Sequence, residues 1–255
     1  MAEEETSAPA SVPLEWLPWH EGARTRIETA FAGGRLPHGL LLHGPDGVGK
    51  EHFATVLAAG LFCSGRRQGL TPCGDCPECA LSRAASHSDL HWLRRPEDKK
   101  SIGVDIVREA CDQLGMTSMR GGYRVAIVTP AHLMTHNAMN ALLKTLEEPA
   151  PRTLLVLITS RPSGLLATLR SRCQRVEIPR PPAGQCSQWL ADRLGGAVAP
   201  RLLDLAGGAP LKALGLAPHF DGLEAQMIDI LDALLGGRAE VTRLKLEREL
   251  MTERV

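Results

Sequence analysis

Gly44-Pro45-Asp46-Gly47-Val48-Gly49-Lys50 reads G-x-x-x-x-G-K, the spacing of a loop whose backbone N–H groups wrap around phosphate. It follows the apolar run Leu40-Leu41-Leu42 and precedes a helical pattern, as such a loop requires. That order is restrictive: a buried strand, a tight glycine turn and a helix are the opening of a parallel sheet covered by helices on both faces. The residue after the lysine breaks the pattern. Ser or Thr would place a hydroxyl on Mg²⁺ beside the phosphates; Glu51 stands there instead. A carboxylate brings negative charge toward the phosphates and removes a neutral ligand.

The remaining chain alternates in the same way. Leu40–His43, Leu90–Leu93, Tyr123–Thr129, Leu154–Thr159 and Val176–Ile178 read as short buried strands. Glu51–Phe62 and Val104–Leu114 read as helices, and Ala138, Leu142 and Leu146 share one face of another that stops before Pro149. Residues 1–13 form an acidic, Ala/Ser/Pro-rich lead-in expected to be disordered. Pro179-Arg180-Pro181-Pro182 marks a boundary, giving an α/β domain over 14–180, a small all-helical domain over 181–217 and a short helical tail over 218–255. In the last two, Gln185–Leu194, Pro200–Leu205, Leu211–Leu216, Leu223–Leu235 and the charged Arg243–Thr252 have helical character.

Four of the seven cysteines are concentrated: Cys63, then Cys73, Cys76 and Cys79 as C-x₂-C-x₂-C. Four thiolates at such spacing suit a tetrahedral structural Zn²⁺. Gly65, Gly69, Pro72, Gly74 and Pro77 supply the turns of the 63–79 module. A redox dithiol needs only two cysteines, and an iron–sulfur cluster is the other chemistry that accepts four. Cys111, Cys173 and Cys186 are scattered and read as small buried hydrophobes.

An ATPase with this loop needs an acid at the end of a neighbouring strand. The strand Val125-Ala126-Ile127-Val128 ends in Thr129-Pro130 instead. With Glu51, this makes two losses in one site, and self-catalysed hydrolysis is not expected. The plainer alternative is a structural turn feeding a helix, with Lys50 solvated. Arg161, Arg170, Arg172, Arg175 and Arg180 crowd into twenty residues. Arg172 lies in Ser171-Arg172-Cys173, where a helix over Leu165–Arg170 gives way to a strand. A guanidinium there reaches out toward a neighbour's phosphate, or else the cluster is surface charge or faces a DNA backbone.

Composition narrows the classes. Lys plus Arg and Asp plus Glu each number 29, and aromatics make up 4%, so neither bulk charge nor base stacking argues for nucleic acid. There is no apolar run of membrane-spanning length and no secretory signal pattern. A cytoplasmic chain with reduced thiols is the expectation.

Leu36-Pro37-His38-Gly39-Leu40-Leu41-Leu42-His43-Gly44-Pro45, the cysteine insert, Asn140-Ala141-Leu142-Leu143-Lys144-Thr145-Leu146-Glu147-Glu148-Pro149 and Ser171-Arg172-Cys173 together resemble the bacterial clamp-loader AAA+ family. The resemblance implies an AAA+ P-loop domain, a helical lid and a helical collar, the last abbreviated or truncated in the 45 residues after Pro210. It implies Zn²⁺ on Cys63, Cys73, Cys76 and Cys79, and Arg172 as an arginine finger offered in trans. It makes Gly44, Gly47, Gly49 and Lys50 a degenerate phosphate loop with weak or no nucleotide, with ATP/Mg²⁺ not hydrolysed. Thr159 stands at a phosphate-sensing place, and Leu211 where active members carry a second sensing arginine. The implied partners are the gamma/tau ATPase subunits and delta, with the sliding clamp and primer–template DNA reached through the complex. The alternatives are an active ATPase ligating metal through Glu51 and a zinc-dependent nucleic-acid binding module.

Overall fold

The computed structural model describes residues 13–66, 68–196 and 200–220. The expected lead-in over 1–13 and the tail helices Leu223–Leu235 and Arg243–Thr252 therefore lie outside the described residues, Pro13 and 218–220 apart. By internal contacts the chain divides into two units, Met1–Cys186 and Ser187–Val255.

The first unit is built on five parallel strands: β1 (Gly39–His43), β2 (Leu90–Arg94), β3 (Arg124–Thr129), β4 (Thr153–Thr159) and β5 (Gln174–Glu177). Their order across the sheet is β2-β3-β4-β1-β5. All neighbouring pairs are parallel, so each connection crosses a face of the sheet, and each carries at least one helix. β1, β3 and β4 are apolar nearly throughout because both their faces are covered. One face, with Leu41, Leu93, Ala126, Val128, Leu155 and Leu157, packs on α4 (Val104–Gly115), α5 (His136–Glu147) and α6 (Ala167–Arg172). The side chains alternating with these point to the opposite face, where α2 (Lys50–Phe62) meets β3 and β4. α2 is apolar on almost every side, burying Phe53, Ala54, Val56, Leu57, Ala58, Ala59 and Leu61.

Two helices leave no trace in the periodicity. α1 (Glu21–Ala32) is mostly polar and buries only Ala23 and Ile27. α3 (Pro77–Arg83) lies inside the cysteine module, which is therefore not turns alone. Pro77 takes the first helical position, where its missing N–H costs nothing. Other elements differ at their edges. The last strand is Gln174–Glu177 rather than Val176–Ile178, and α6 runs to Arg172 rather than ending at Arg170. A 3₁₀ turn over Pro162–Gly164 occupies the chain before α6 and delays the helix start to Ala167.

The second unit contains α8 (Pro200–Leu205) and α9 (Pro210–Leu216), which pack together, and most of α7 (Ala183–Leu194). Leu190, Leu202, Leu203, Ala206 and Ala213 are among its buried side chains. No helix among the described residues is long and apolar enough to cross a membrane.

Candidate functional site

The strand register gathers one group of polar side chains. His43 pairs with Thr159 and Glu177, and Arg94 pairs with Thr129. Thr129, Thr159, Arg94 and the loop after His43 therefore share the C-terminal edge of the sheet, where ligands bind in open parallel sheets. Three glycines of the motif carry positive φ: Gly44 (+150°), Gly47 (+76°) and Gly49 (+89°). At Gly44 a Cβ would stand 2.0 Å from the Ile178 carbonyl oxygen, so backbone fills the space a side chain needs.

Lys50 is not solvated. It is 7% exposed, and its Nζ donates to Gly44 O at 2.9 Å, Pro45 O at 2.6 Å and Asp46 Oδ1 at 3.4 Å. Burial lowers its pKa, against the Asp46 carboxylate, which raises it. The loop's own carbonyls satisfy the ammonium at lower cost than water reached from within a buried turn.

Glu51 is engaged as well. Its Oε1 accepts from the Thr129 hydroxyl at 2.7 Å, and its Oε2 lies 3.1 Å from Nη2 of Arg94. Arg94 in turn covers the Trp92 ring at 4.6 Å. The two residues that depart from the ATPase pattern, Glu51 and Thr129, thus touch each other. An Asp at 129 would set one carboxylate against another, whereas the Thr hydroxyl donates to it. Arg94 completes the trio, and no local feature of the sequence marks it for that role.

Thr159 is buried at the end of β4. Its Oγ1 accepts from Arg161 N at 2.9 Å and lies 2.9 Å from His132 Nδ1. With one Oγ1 lone pair taken by that N–H, the hydroxyl keeps its proton and a second lone pair for His132, and the ring tautomer sets which is used. Burial, then the nearby Arg161 charge, lowers the His132 pKa, which keeps the ring neutral and able to accept. On the other side of the loop, Trp19 Nε1 donates to Val48 O at 2.8 Å. His20 is fully buried beside it; burial and His52 push its pKa down to about 3.

The second cluster is the cysteine module. The sulfurs of Cys63, Cys73, Cys76 and Cys79 lie within 4.8 Å of one another, with Cys73–Cys79 at 3.9 Å and Cys76–Cys63 at 3.8 Å. Zn–S bonds of about 2.3 Å in a tetrahedron place sulfurs ~3.8 Å apart, so the four thiols fit one tetrahedral ion. A cluster of several irons divides the thiolates among its irons, two to each in a two-iron cluster and one to each in a four-iron cluster, and spreads the four wider. Backbone N–H groups point at the sulfurs, Cys73 N to Cys63 Sγ and Cys76 N to Cys73 Sγ, each at 3.4 Å. N–H groups of Asp75 and Cys76 lower the Cys73 pKa. At Cys76 burial opposes ionisation, yet the N–H groups of Cys79 and Ser64 and the sulfurs of Cys79 and Cys73 together outweigh it and bring the thiol to about 6. Burial raises Cys63 and Cys79. The module rests on Val56 and Ala59 of α2 and on Leu14 of the N-terminal segment. Its approach is close enough that a Cβ on Gly60 would meet Leu70 O at 1.9 Å, which accounts for a glycine inside a helix.

Arg172 belongs to neither cluster. It ends α6 rather than sitting on a loop. Its Nη2 lies 2.6 Å from Glu147 Oε1, and Nη1 donates to Thr168 O at 3.0 Å. Both side chains of the ion pair are partly exposed, 37% for Arg172 and 51% for Glu147. Leu211 is on α9 in the second unit.

Comparison with known proteins agrees with this architecture. DNA polymerase III subunit delta' of Pseudomonas aeruginosa is 38% identical over 222 residues, 85% of this chain and 65% of that protein. The Escherichia coli protein of the same name is 37% identical over 205 residues, 80% of this chain and 61% of its own length. The chain thus spans less than two thirds of these relatives. A subunit tau/gamma of Haemophilus influenzae is 34% identical over 169 residues, covering 65% of this chain and 24% of that protein. Among solved structures, a proline-to-glycine mutant of the RuvB Holliday junction motor of Thermotoga maritima aligns over 90% of this chain and 69% of its own at a TM-score of 0.50 and 15% identity, a likeness of fold alone. The family model described as "DNA polymerase III, delta subunit" matches residues 19–182, from the Trp19 that closes on the phosphate loop to the turn after β5, and with the delta' proteins this places the chain: it belongs to the bacterial clamp-loader AAA+ family of DNA polymerase III, in the group of subunit delta'.

Proposed function

We propose that the chain is a catalytically silent clamp-loader subunit, a stator beside ATPase subunits in an assembly that opens a sliding clamp and places it on primed DNA in the cytoplasm. The observation that carries this reading is the trio of Glu51, Thr129 and Arg94. Where an ATPase of this fold holds Mg²⁺ with a hydroxyl and an acid, this chain sets a carboxylate between a hydroxyl and a guanidinium. A cation-binding corner needs unspent negative charge; here the Arg94 cation already neutralises it. Lys50, turned onto its own loop carbonyls, supports the same conclusion: Gly44, Gly47, Gly49 and Lys50 form a degenerate phosphate loop, with Thr159 retained beside it.

Within the assembly the partners are gamma/tau-type ATPases and delta. Arg172 acts in trans. Leaving Glu147 for a neighbour's γ-phosphate costs about 1 kcal/mol or less, because the pair is partly exposed. A planar guanidinium against transition-state charge is worth on the order of 10³-fold or more in related phosphoryl transfers. Cys63, Cys73, Cys76 and Cys79 hold a structural Zn²⁺, which contributes folding energy to a module with little apolar content of its own.

ATP turnover by the purified chain, beside a Lys50→Ala control, is the direct test. Turnover equal to the control supports the silent subunit; turnover clearly above it replaces the reading with an active ATPase ligating metal through Glu51. In a reconstituted loader, Arg172→Ala is expected to assemble normally and to lower clamp- and DNA-stimulated hydrolysis. Loading at the wild-type rate with this variant removes the finger assignment.

A further inference from the structure

The cysteine module is tied at both ends to one buried imidazole. Phe62, which precedes Cys63, stacks on His87 with ring centroids 3.8 Å apart and planes at 8°. Glu78, which precedes Cys79, places Oε2 at 2.9 Å from His87 Nε2. The Asp89 N–H donates to His87 Nδ1 at 3.1 Å, so in the neutral ring the proton sits on Nε2, the ring nitrogen that lies beside the Glu78 carboxylate. Burial lowers the His87 pKa against the pull of Glu78, consistent with that neutral form. His87 therefore meets the residue before the first cysteine and the residue before the last.

The same two groups lead to a surface loop. Glu78 Oε1 pairs with Arg120 Nη1. Asp89, 3% exposed, spends its carboxylate on that loop: Oδ2 accepts from Ser118 Oγ at 3.0 Å and Arg120 N at 3.3 Å, and Oδ1 accepts from Met119 N at 3.1 Å. Ser118 Oγ also receives Gly122 N at 3.1 Å. The loop so fixed displays Met119 at 83% exposure and Met116 at 56%. A buried carboxylate devoted to a surface loop makes sense where the loop's shape has to be held.

We propose that the four-cysteine centre sets the conformation of residues 116–122 through Glu78, His87 and Asp89, so that a metal ion held by the cysteines governs a methionine-bearing surface on another element of the domain. Cys63 and Cys79 drawn to one ion fix Phe62 and Glu78 on His87. Without that restraint α3 is free to shift, Arg120 loses its carboxylate, and the 116–122 loop keeps Asp89 and the Arg152 guanidinium on Gly121 O. Glu78 is the coupling residue; it is not a metal ligand. The inference does not depend on what Arg172 does.

Amide hydrogen exchange of the full chain, loaded with zinc chloride and then treated with a zinc chelator, reads the coupling. The amides of Met119, Arg120 and Gly122 are expected to exchange about tenfold faster after chelation, with β4 amides unchanged, as for local opening. Glu78→Gln is expected to keep bound zinc by elemental analysis and still exchange faster at those three amides. Chelated protein whose loop stays as protected as the loaded form overturns the proposal. So does a zinc-bound Glu78→Gln protein with wild-type exchange, and that variant decides the matter if chelation unfolds the whole chain.

Discussion

The two clusters differ in where their charges go. In the cysteine module four thiols converge within 4.8 Å, and what points at them is backbone N–H and one another's sulfur. In the phosphate-loop corner the charged groups have found side-chain and carbonyl partners: Lys50 its own loop, Glu51 both Thr129 and Arg94. The four thiols could hold one metal ion; at the corner the charges already have partners within the chain. A motif alone does not separate these cases; the counter-charges around it do.

The comparison breaks most easily at the module. Cys76→Ser is expected to abolish zinc binding and unfold residues 63–83 locally, the largest effect, since structural zinc contributes on the order of 10 kcal/mol. Elemental analysis with hydrogen exchange checks it, and a variant that stays zinc-bound and protected would place the module among self-sufficient turns. At the corner, Thr129→Asp is expected to destabilise by about 1–3 kcal/mol, because it buries a carboxylate at position 129 beside the half-exposed carboxylate of Glu51. In a Glu51→Thr background the same change should cost much less. Urea unfolding of the four proteins gives the coupling, and additivity would mean that Glu51 and Thr129 are independent losses.

The smallest effect concerns pH. His20, beside the loop, has a folded-state pKa of about 3 against 6.5 unfolded. The unfolded chain therefore binds the extra proton between those values. The stability contributed by neutral His20 is complete above pH 6.5 and falls as pH drops toward 3, by up to about 1.4 kcal/mol per unit. Wild type should lose more stability than His20→Leu between pH 7 and 5; equal slopes would show that the loop's N-terminal cover is open to water.

Much of the fold is legible in the sequence for definite reasons. β1, β3 and β4 are buried on both faces, so their apolar runs announce them. Cys73, Cys76 and Cys79 lie close enough in sequence for their spacing to predict their meeting. α1 leaves no such signal because only Ala23 and Ile27 are buried along it. Arg94 and Glu51 are 43 residues apart, and only the register of β2 beside β3 brings them together. The sequence suggests a solvated Lys50, yet burial of the loop turns it inward. It also suggests an Arg172 projecting freely from a loop, but α6 continues through that residue and Glu147 waits on α5. Long-range polar pairing leaves no periodicity, which is why these contacts need the folded chain.

Gly44 carries a consequence of its own. Its missing Cβ is demanded by the Ile178 carbonyl after β5, and Gly47 and Gly49 by the handedness of their turns. Crowding and chirality alone are enough to keep the signature's glycines in place, with or without a nucleotide to hold. In a chain of this kind the pattern works as a fixed corner after β1: its glycines record how the polypeptide must bend, and say little about what it grips.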